Sequence, residues 1–353
     1  MTESPDRHSL QSDLDWTFES VESVSRTFAL SIELLEMPVK SWICTGYLLC
    51  RAADTIEDEA SIPPADRAAL LETYERALDP QDSVDMTRFM DEVTSQRPEE
   101  ISTDWRVLEE TDRAFRVYRS FSEDVQDAIR TVVSEMSIGM AAFLRRYAEH
   151  GGLRLQTIEE LETYCWYVAG TVGELFTSLL DCYGADERAP RDTGDVRSFA
   201  LLLQLINVAK DVRADFETEN NVYLPGTWLA EEGVSHDAID DPANTSAVTA
   251  VVRRLVDHAE SYASGARRAL ATLPEDRAGM LEATTLPYLL ALGTARELRA
   301  RADDAVVAES SVKLEREEVV ALYAEMQRGI THAEIDPIAA AVSAEPYHTT
   351  NRP

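Results

Sequence analysis

The chain has 353 residues, 44 % hydrophobic and 28 % charged, a globular balance with enough length to bury a sizeable core. Its formal net charge is −32, and Lys40, Lys210 and Lys313 are the only lysines among 33 basic residues. Such a surface repels nucleic acid and anionic lipid, and it resembles the acidic, lysine-poor surfaces of proteins from salt-loaded cytoplasm, where screening removes the self-repulsion.

Helical periodicity runs from end to end without a convincing alternating strand, so the sequence predicts an all-α protein with one helical domain. Residues 1–13 read as a polar N-terminal arm, 14–330 as the domain and 331–353 as a polar C-terminal tail. The first helix is expected from about Leu14 into Ser25-Arg26-Thr27-Phe28, and Pro38 marks the next helix start. A Pro-containing turn at residues 61–66 precedes a helix over 67–77. Residues 79–104 read as a polar surface excursion, followed by helices over 107–120 and 122–150. A helix over 157–182 carries Gly170 and Gly173 on one side, where a neighbour can pack close, and a stripe of Tyr164, Thr171 and Glu174. After a charged loop at 184–195 comes a second strongly apolar helix, then a polar segment at 217–222 expected to be mobile and to close over bound phosphate. Helices over 247–273, 279–303 (interrupted at Pro287) and 316–329 complete the chain.

Two aspartate pairs carry the chemistry. Asp54 and Asp58 lie four residues apart, as do Asp211 and Asp215. On a helix that spacing puts both carboxylates on one face, about 5–6 Å apart, where they repel. Tyr47 and Arg51 extend the first stripe; Gln204 and Asn207 extend the second. A solvated acidic face is the ordinary fate of such pairs, but both of these sit in apolar helices whose polar stripe must face something polar inside the protein. Oxygen-only ligands suit Mg²⁺ (or Mn²⁺ in its place), which completes its shell with water and substrate phosphate. The four cysteines lack metal-ligand spacing and read as buried thiols of a reducing compartment. The polar N-terminus shows no signal peptide, and no run reaches the roughly 18 apolar residues of a membrane span. The expectation is a soluble cytoplasmic protein.

Four segments in order resemble the squalene/phytoene synthases, head-to-head prenyltransferases of the all-α class I isoprenoid synthase fold. They are Ser25-Arg26-Thr27-Phe28, Arg51-x-x-Asp54-Thr-Ile-Glu-Asp58, Tyr164-Cys-Trp-Tyr-Val-Ala-Gly-Thr-Val-Gly, and Gln204-x-x-Asn207-x-x-Lys210-Asp211-x-x-x-Asp215. The resemblance implies that Asp54 and Asp58, facing Asp211 and Asp215, hold the Mg²⁺ that binds two allylic diphosphates. It implies diphosphate contacts from Ser25, Arg26, Tyr47 and Arg51, a lining role for Gln204 and Asn207, and for Tyr164 assistance in proton removal as a cyclopropyl intermediate closes. The chain departs from the family pattern at Lys210, where many members have arginine, at Ala214-Asp215 in place of Glu-Asp, and at Asn221, where a phosphate-binding arginine is usual. Arg213 points to the opposite helix face from Asp211 and does not compensate.

Asp54-Thr-Ile-Glu-Asp58, Thr285-Leu-Pro287 and Val312-Lys313-Leu-Glu-Arg316 look closest to the squalene-forming branch. That branch joins two farnesyl diphosphates and reduces the product with NADPH, for which Lys313 and Arg316 are candidate phosphate contacts. The alternatives are the phytoene- or dehydrosqualene-forming branch, which needs no NADPH, and a non-catalytic assembly factor, which would have eroded aspartates. The protein is expected to act as a monomer with no transmembrane anchor, touching membrane transiently to release product.

Overall fold

The computed structural model describes residues 5–183, 193–275, 277–307 and 312–350. The chain is 78 % helical with no strand among the described residues, as the periodicity predicts. Helices α1 (Pro5–Val24) and α2 (Arg26–Glu33) divide at Ser25, whose hydroxyl accepts the Phe28 N–H and caps α2. Helix α3 (Val39–Asp58) follows Pro38, and α4 (Pro64–Leu78) has proline in its first turn. Then come α5 (Met86–Ser95), α6 (Thr103–Leu108), α7 (Thr111–Arg119) and α8 (Glu123–Arg146). Helix α9 (Ile158–Cys165) passes through a π-helical turn, Trp166–Gly170, into α10 (Thr171–Tyr183). Next are α11 (Thr193–Glu219), α12 (Gly226–Glu231), α13 (Thr245–Glu260), α14 (Ala263–Leu270) and α15 (Met280–Arg301). The last are α16 (Asp304–Val307), α17 (Arg316–Gln327), α18 (His332–Ala344) and α19 (Tyr347–Thr350).

These helices fall into two compact units. One comprises Met1–Gly151 and Thr171–Arg188; the other comprises Gly152–Gly170 and Ala189–Pro353. In the first, α3 is almost wholly buried: Ile43, Leu48, Leu49, Ala53 and Ile56 are each no more than 3 % exposed. Gly46 lets α10 approach it, since a Cβ there would lie 2.8 Å from Leu175. In the second unit α11 is the central element, its Leu201, Leu202, Leu205, Ile206 and Ala209 buried against α13, α14 and α15.

Several elements differ from the sequence reading. The supposed N-terminal arm is helical from Pro5, anchored by Asp13, which is 4 % exposed and satisfied by Arg113 and Arg116 at 2.9 and 2.7 Å. The excursion at 79–104 contains α5, capped by Asp85 and buried through Met86, Phe89 and Val93. The long helix over 157–182 is broken by the π turn, which adds a residue and slips the register of any stripe crossing it. Gly170 makes room for its own chain's Trp166 ring, whose carbons would lie 2.2–2.9 Å from a Cβ. The helix over 247–273 breaks at Ser261 and Tyr262 into α13 and α14. Helix α15 runs straight through Pro287; burial of Leu286 and of Tyr288–Leu292 on both sides offsets the roughly 3 kcal/mol that a proline costs. The expected loop over 184–195 lies outside the described residues up to 192.

The C-terminal tail is also helical. Helix α18 begins with a capping box of Thr331 and Glu334 and buries Ile335, Ile338 and Val342. It is tied to α15 and α17 through Arg296, which donates to both Glu318 carboxylate oxygens at 2.9 and 2.8 Å and to the Val342 carbonyl at 2.6 Å. The Tyr347 N–H completes the Glu318 shell at 3.0 Å. Glu318→Ala leaves the partly buried Arg296 with Glu297 as its remaining carboxylate partner and is expected to cost about 1–3 kcal/mol. Denaturant unfolding at fixed salt measures this; an unchanged midpoint would show that the C-terminal helices do not depend on the pair.

Candidate active site

In the first unit, α3 carries Tyr47, Arg51, Asp54 and Asp58 at helical spacing, as expected. Arg51 lies between two acids: its Nε donates to Asp104 Oδ1 at 2.8 Å, and its Nη1 is 3.7 Å from Asp54 Oδ2. Asp104 arrives from the first turn of α6. Burial opposes the charge on Arg51, but Asp54 and Asp104 hold it protonated with its pKa raised. Tyr47 stacks on Phe28 with ring centroids 4.2 Å apart and hydrogen-bonds Ser25, so the N-cap of α2 is joined to the same face. Burial raises the Tyr47 pKa. Arg26 is exposed at the first position of α2.

The carboxylates here are strained electrostatically. Asp54 is pushed up to about 8, first by burial and then by the negative charges of Asp58 and Asp104, with Arg51 opposing. Asp58 is pushed up to about 6, again by burial first; Arg51 and Arg67 pull it down and Asp104 pushes it up. Arg67 is buried and donates to the Glu57 carbonyl, fixing the last turn of α3.

In the second unit, α11 presents Gln204, Lys210, Asp211 and Asp215 partly buried and Asn207 exposed. Lys210 pairs with its neighbour Asp211, and Arg213 is engaged by Glu217 at 2.5 Å on another face. Asp215 borders a narrow crevice with Val208, Val212, Asn221 and Tyr223. Tyr164 is buried at the end of α9, its hydroxyl 3.2 Å from that of Tyr223. Lys313 and Arg316 are exposed just before and at the start of α17, and no contact among the described residues joins either to the Asp211–Asp215 face.

The segment expected to be mobile is pinned instead. Residues 217–219 are the end of α11, and Asn221 and Val222 are buried. Val222 N–H donates to the Leu153 carbonyl at 2.9 Å, and Gly226 N–H donates to that of Leu155 at 2.9 Å. Buried Arg154 donates to the Asn220 carbonyl and to Asn220 Oδ1 at 2.5 and 2.7 Å, holding Asn220 at its positive φ of 56°.

No group of three or more His, Cys, Asp or Glu side chains forms a ready-made metal cage among the described residues. Mg²⁺ does not need one, because it takes one or two carboxylates and fills its shell with water and phosphate. Asp54 and Asp58 fit that chemistry: they are oxygen donors, crowded enough to hold protons that a cation would replace.

The model of the squalene/phytoene synthase family matches residues 21–318, a span that holds every candidate residue from Ser25 to Arg316. The chain belongs to the squalene/phytoene synthase family. It is 29 % identical to the squalene synthase of Homo sapiens over 224 residues, 63 % of this chain and 49 % of that protein. It is 38 % identical to the 15-cis-phytoene synthase of Enterobacter agglomerans over 121 residues, 34 % of this chain and 39 % of that one. The match thus spans about half the length of the human relative and less of the Enterobacter one. Its fold is that of TcSQS in complex with the ligand E5700, with a TM-score of 0.74 at 21 % identity, covering 96 % of this chain and 99 % of that one.

Family motifs identify α3 and α11, but Asp104 and Tyr223 escape a reading by spacing. Asp104 comes from another helix, and its one signal is its place behind the Ser102 N-cap. Tyr223 is visible only as part of the Val222-Tyr223-Leu224-Pro225 segment.

The raised pKa of Asp54 has a thermodynamic consequence. Its folded-state value lies above that of the unfolded chain, so the folded protein binds the extra proton and loses stability as pH rises toward about 8. Asp54→Asn removes this loss. In metal-free buffer its melting temperature should exceed the parent's at pH 9, with the gap closing toward pH 4. A gap that widens on acidification would contradict the environment described for Asp54.

Proposed function

We propose that the protein is a squalene synthase: it joins two farnesyl diphosphates head to head into presqualene diphosphate, then reduces and rearranges that product to squalene with NADPH. The observation that carries this reading is the pair of i,i+4 aspartate motifs, each beside a cation on a partly buried helix face, within a span matched by the family model. Asp54 and Asp58 on α3, and Asp211 and Asp215 on α11, would hold Mg²⁺ or Mn²⁺. When bound, the metal supplies Lewis-acid neutralisation of the departing diphosphate.

The chain's own residues have distinct tasks. Arg51, held charged by Asp54 and Asp104, presents a planar fork suited to diphosphate oxygens. Ser25, Arg26 and Tyr47 extend that contact from the α2 N-terminus, and Lys210 is the cation available beside Asp211. Gln204 and Asn207 line the same face of α11. Tyr164 takes part in removing the proton lost as the cyclopropane closes. Lys313 and Arg316, both exposed, are the proposed contacts for NADPH phosphates. The enzyme would act as a cytoplasmic monomer, with no helix among the described residues long and apolar enough to cross a membrane.

A second reading, phytoene or dehydrosqualene synthesis without NADPH, is favoured by the 38 % identity to 15-cis-phytoene synthase across 121 residues. The two differ in how the carbocation ends: hydride capture or proton loss. With farnesyl diphosphate and Mg²⁺ at high salt, the protein should accumulate presqualene diphosphate or leak to dehydrosqualene and alcohols. NADPH should redirect the flux to squalene, and Lys313→Ala with Arg316→Ala should weaken that response while sparing the first condensation. A product distribution indifferent to NADPH would replace the squalene reading with the second one.

The site residues have their own test. Asp54→Asn or Asp211→Asn should cut turnover by orders of magnitude at saturating Mg²⁺ with helicity retained. Near-normal turnover in either variant would remove that pair from the metal site.

A further inference from the structure

Asn221 stands where the family pattern usually has a diphosphate-binding arginine, and its side chain is turned inward. It is 2 % exposed, and its Oδ1 accepts the Leu153 N–H at 2.8 Å. That contact fixes which way the amide faces, because only a carbonyl oxygen can accept it. The Nδ2 group then points the other way and donates to the Tyr223 hydroxyl at 3.0 Å and to Glu219 Oε2 at 3.2 Å. The Tyr223 hydroxyl lies 3.2 Å from that of Tyr164, and the two rings stack with centroids 5.1 Å apart. Tyr223 also borders the narrow crevice that Asp215 and Asn221 share.

The Tyr164–Tyr223 contact can run either way, and the hydrogen bond from Asn221 polarises the Tyr223 O–H as a donor. A phenol has one proton to give, and the Tyr223 oxygen already accepts from Asn221. We infer that Asn221 and Tyr223 are positioning residues for Tyr164: Asn221 orients Tyr223 so that its O–H is donated to the Tyr164 oxygen. A donated hydrogen bond, with the stacked rings, holds the Tyr164 ring and oxygen in one orientation toward the proton it helps to remove. The departure from arginine at position 221 therefore reassigns the residue from substrate contact to alignment of the tyrosine pair. This rests on the reading of Tyr164 as the group that assists proton removal.

The test compares Tyr223→Phe and Asn221→Asp, each alone and combined with Tyr164→Phe, by single-turnover formation of presqualene diphosphate. Single turnover keeps a Tyr164→Phe enzyme, slowed roughly 10²–10⁴-fold, measurable. Asn221→Asp keeps the acceptor for Leu153 N–H but offers Tyr223 an acceptor in place of a donor; because it also faces Glu219, its melting temperature is measured alongside the rate. Each single variant should lower the rate about 10-fold or more with KM for farnesyl diphosphate unchanged. In the Tyr164→Phe background neither should lower it further. Losses that multiply with that of Tyr164→Phe, or that come as raised KM with a lowered melting temperature, would overturn the inference and leave the pair as packing. Unimpaired condensation in Tyr164→Phe itself would instead remove the role of Tyr164 on which the inference rests.

Discussion

Carboxylates crowded on partly buried helix faces are the constraint to which the rest of the site answers. Asp54 meets Asp58 one turn away and Asp104 from another helix, and burial alone already disfavours its charge. Arg51 offsets part of this, lying between Asp54 and Asp104. The balance leaves Asp54 protonated near neutral pH, a costly arrangement for a helix that only had to pack. A divalent cation with a diphosphate would use the same carboxylates in their charged form. The second unit keeps a similar economy in another way: Lys210 lies against Asp211, and Asp215 opens on a crevice edged with valine.

How much of this was legible follows from what kind of residue each helix buries. Helices α3 and α11 announce themselves because a sparse polar stripe interrupts long apolar runs, and the stripes hold the proposed ligands. Helix α1 is read from Leu14 but not in its first turns, 5–13, which are polar and whose buried residue is the ion-paired Asp13. Helix α18 carries both a capping box and the spacing of Ile335, Ile338 and Val342, and burial of those residues holds the helix although Pro337 stands inside it. The π turn is invisible to a 3.6-residue pattern, and it falls directly after Tyr164 and Cys165.

The site itself divides the same way. Residues on one helix could be grouped by spacing, as Tyr47, Arg51, Asp54 and Asp58 were. Partners brought from elsewhere in the chain could not: Asp104 beside Arg51, Tyr223 beside Tyr164, and Leu153 beside Asn221. Position 221 shows the difference most clearly. As a letter it is a missing cation, whereas in the fold it joins two backbone segments and turns a phenol toward Tyr164.

The central claim, that the Asp54 proton gives way to a metal with its diphosphate, is tested most directly by calorimetry. Mg²⁺ with a non-hydrolysable thiolo analogue of farnesyl diphosphate would be titrated at pH 7 in buffers of different ionisation enthalpy. The account predicts proton release from the protein on binding, and a smaller release from Asp54→Asn under the same conditions. Binding with the same proton count in the parent and in Asp54→Asn would contradict it.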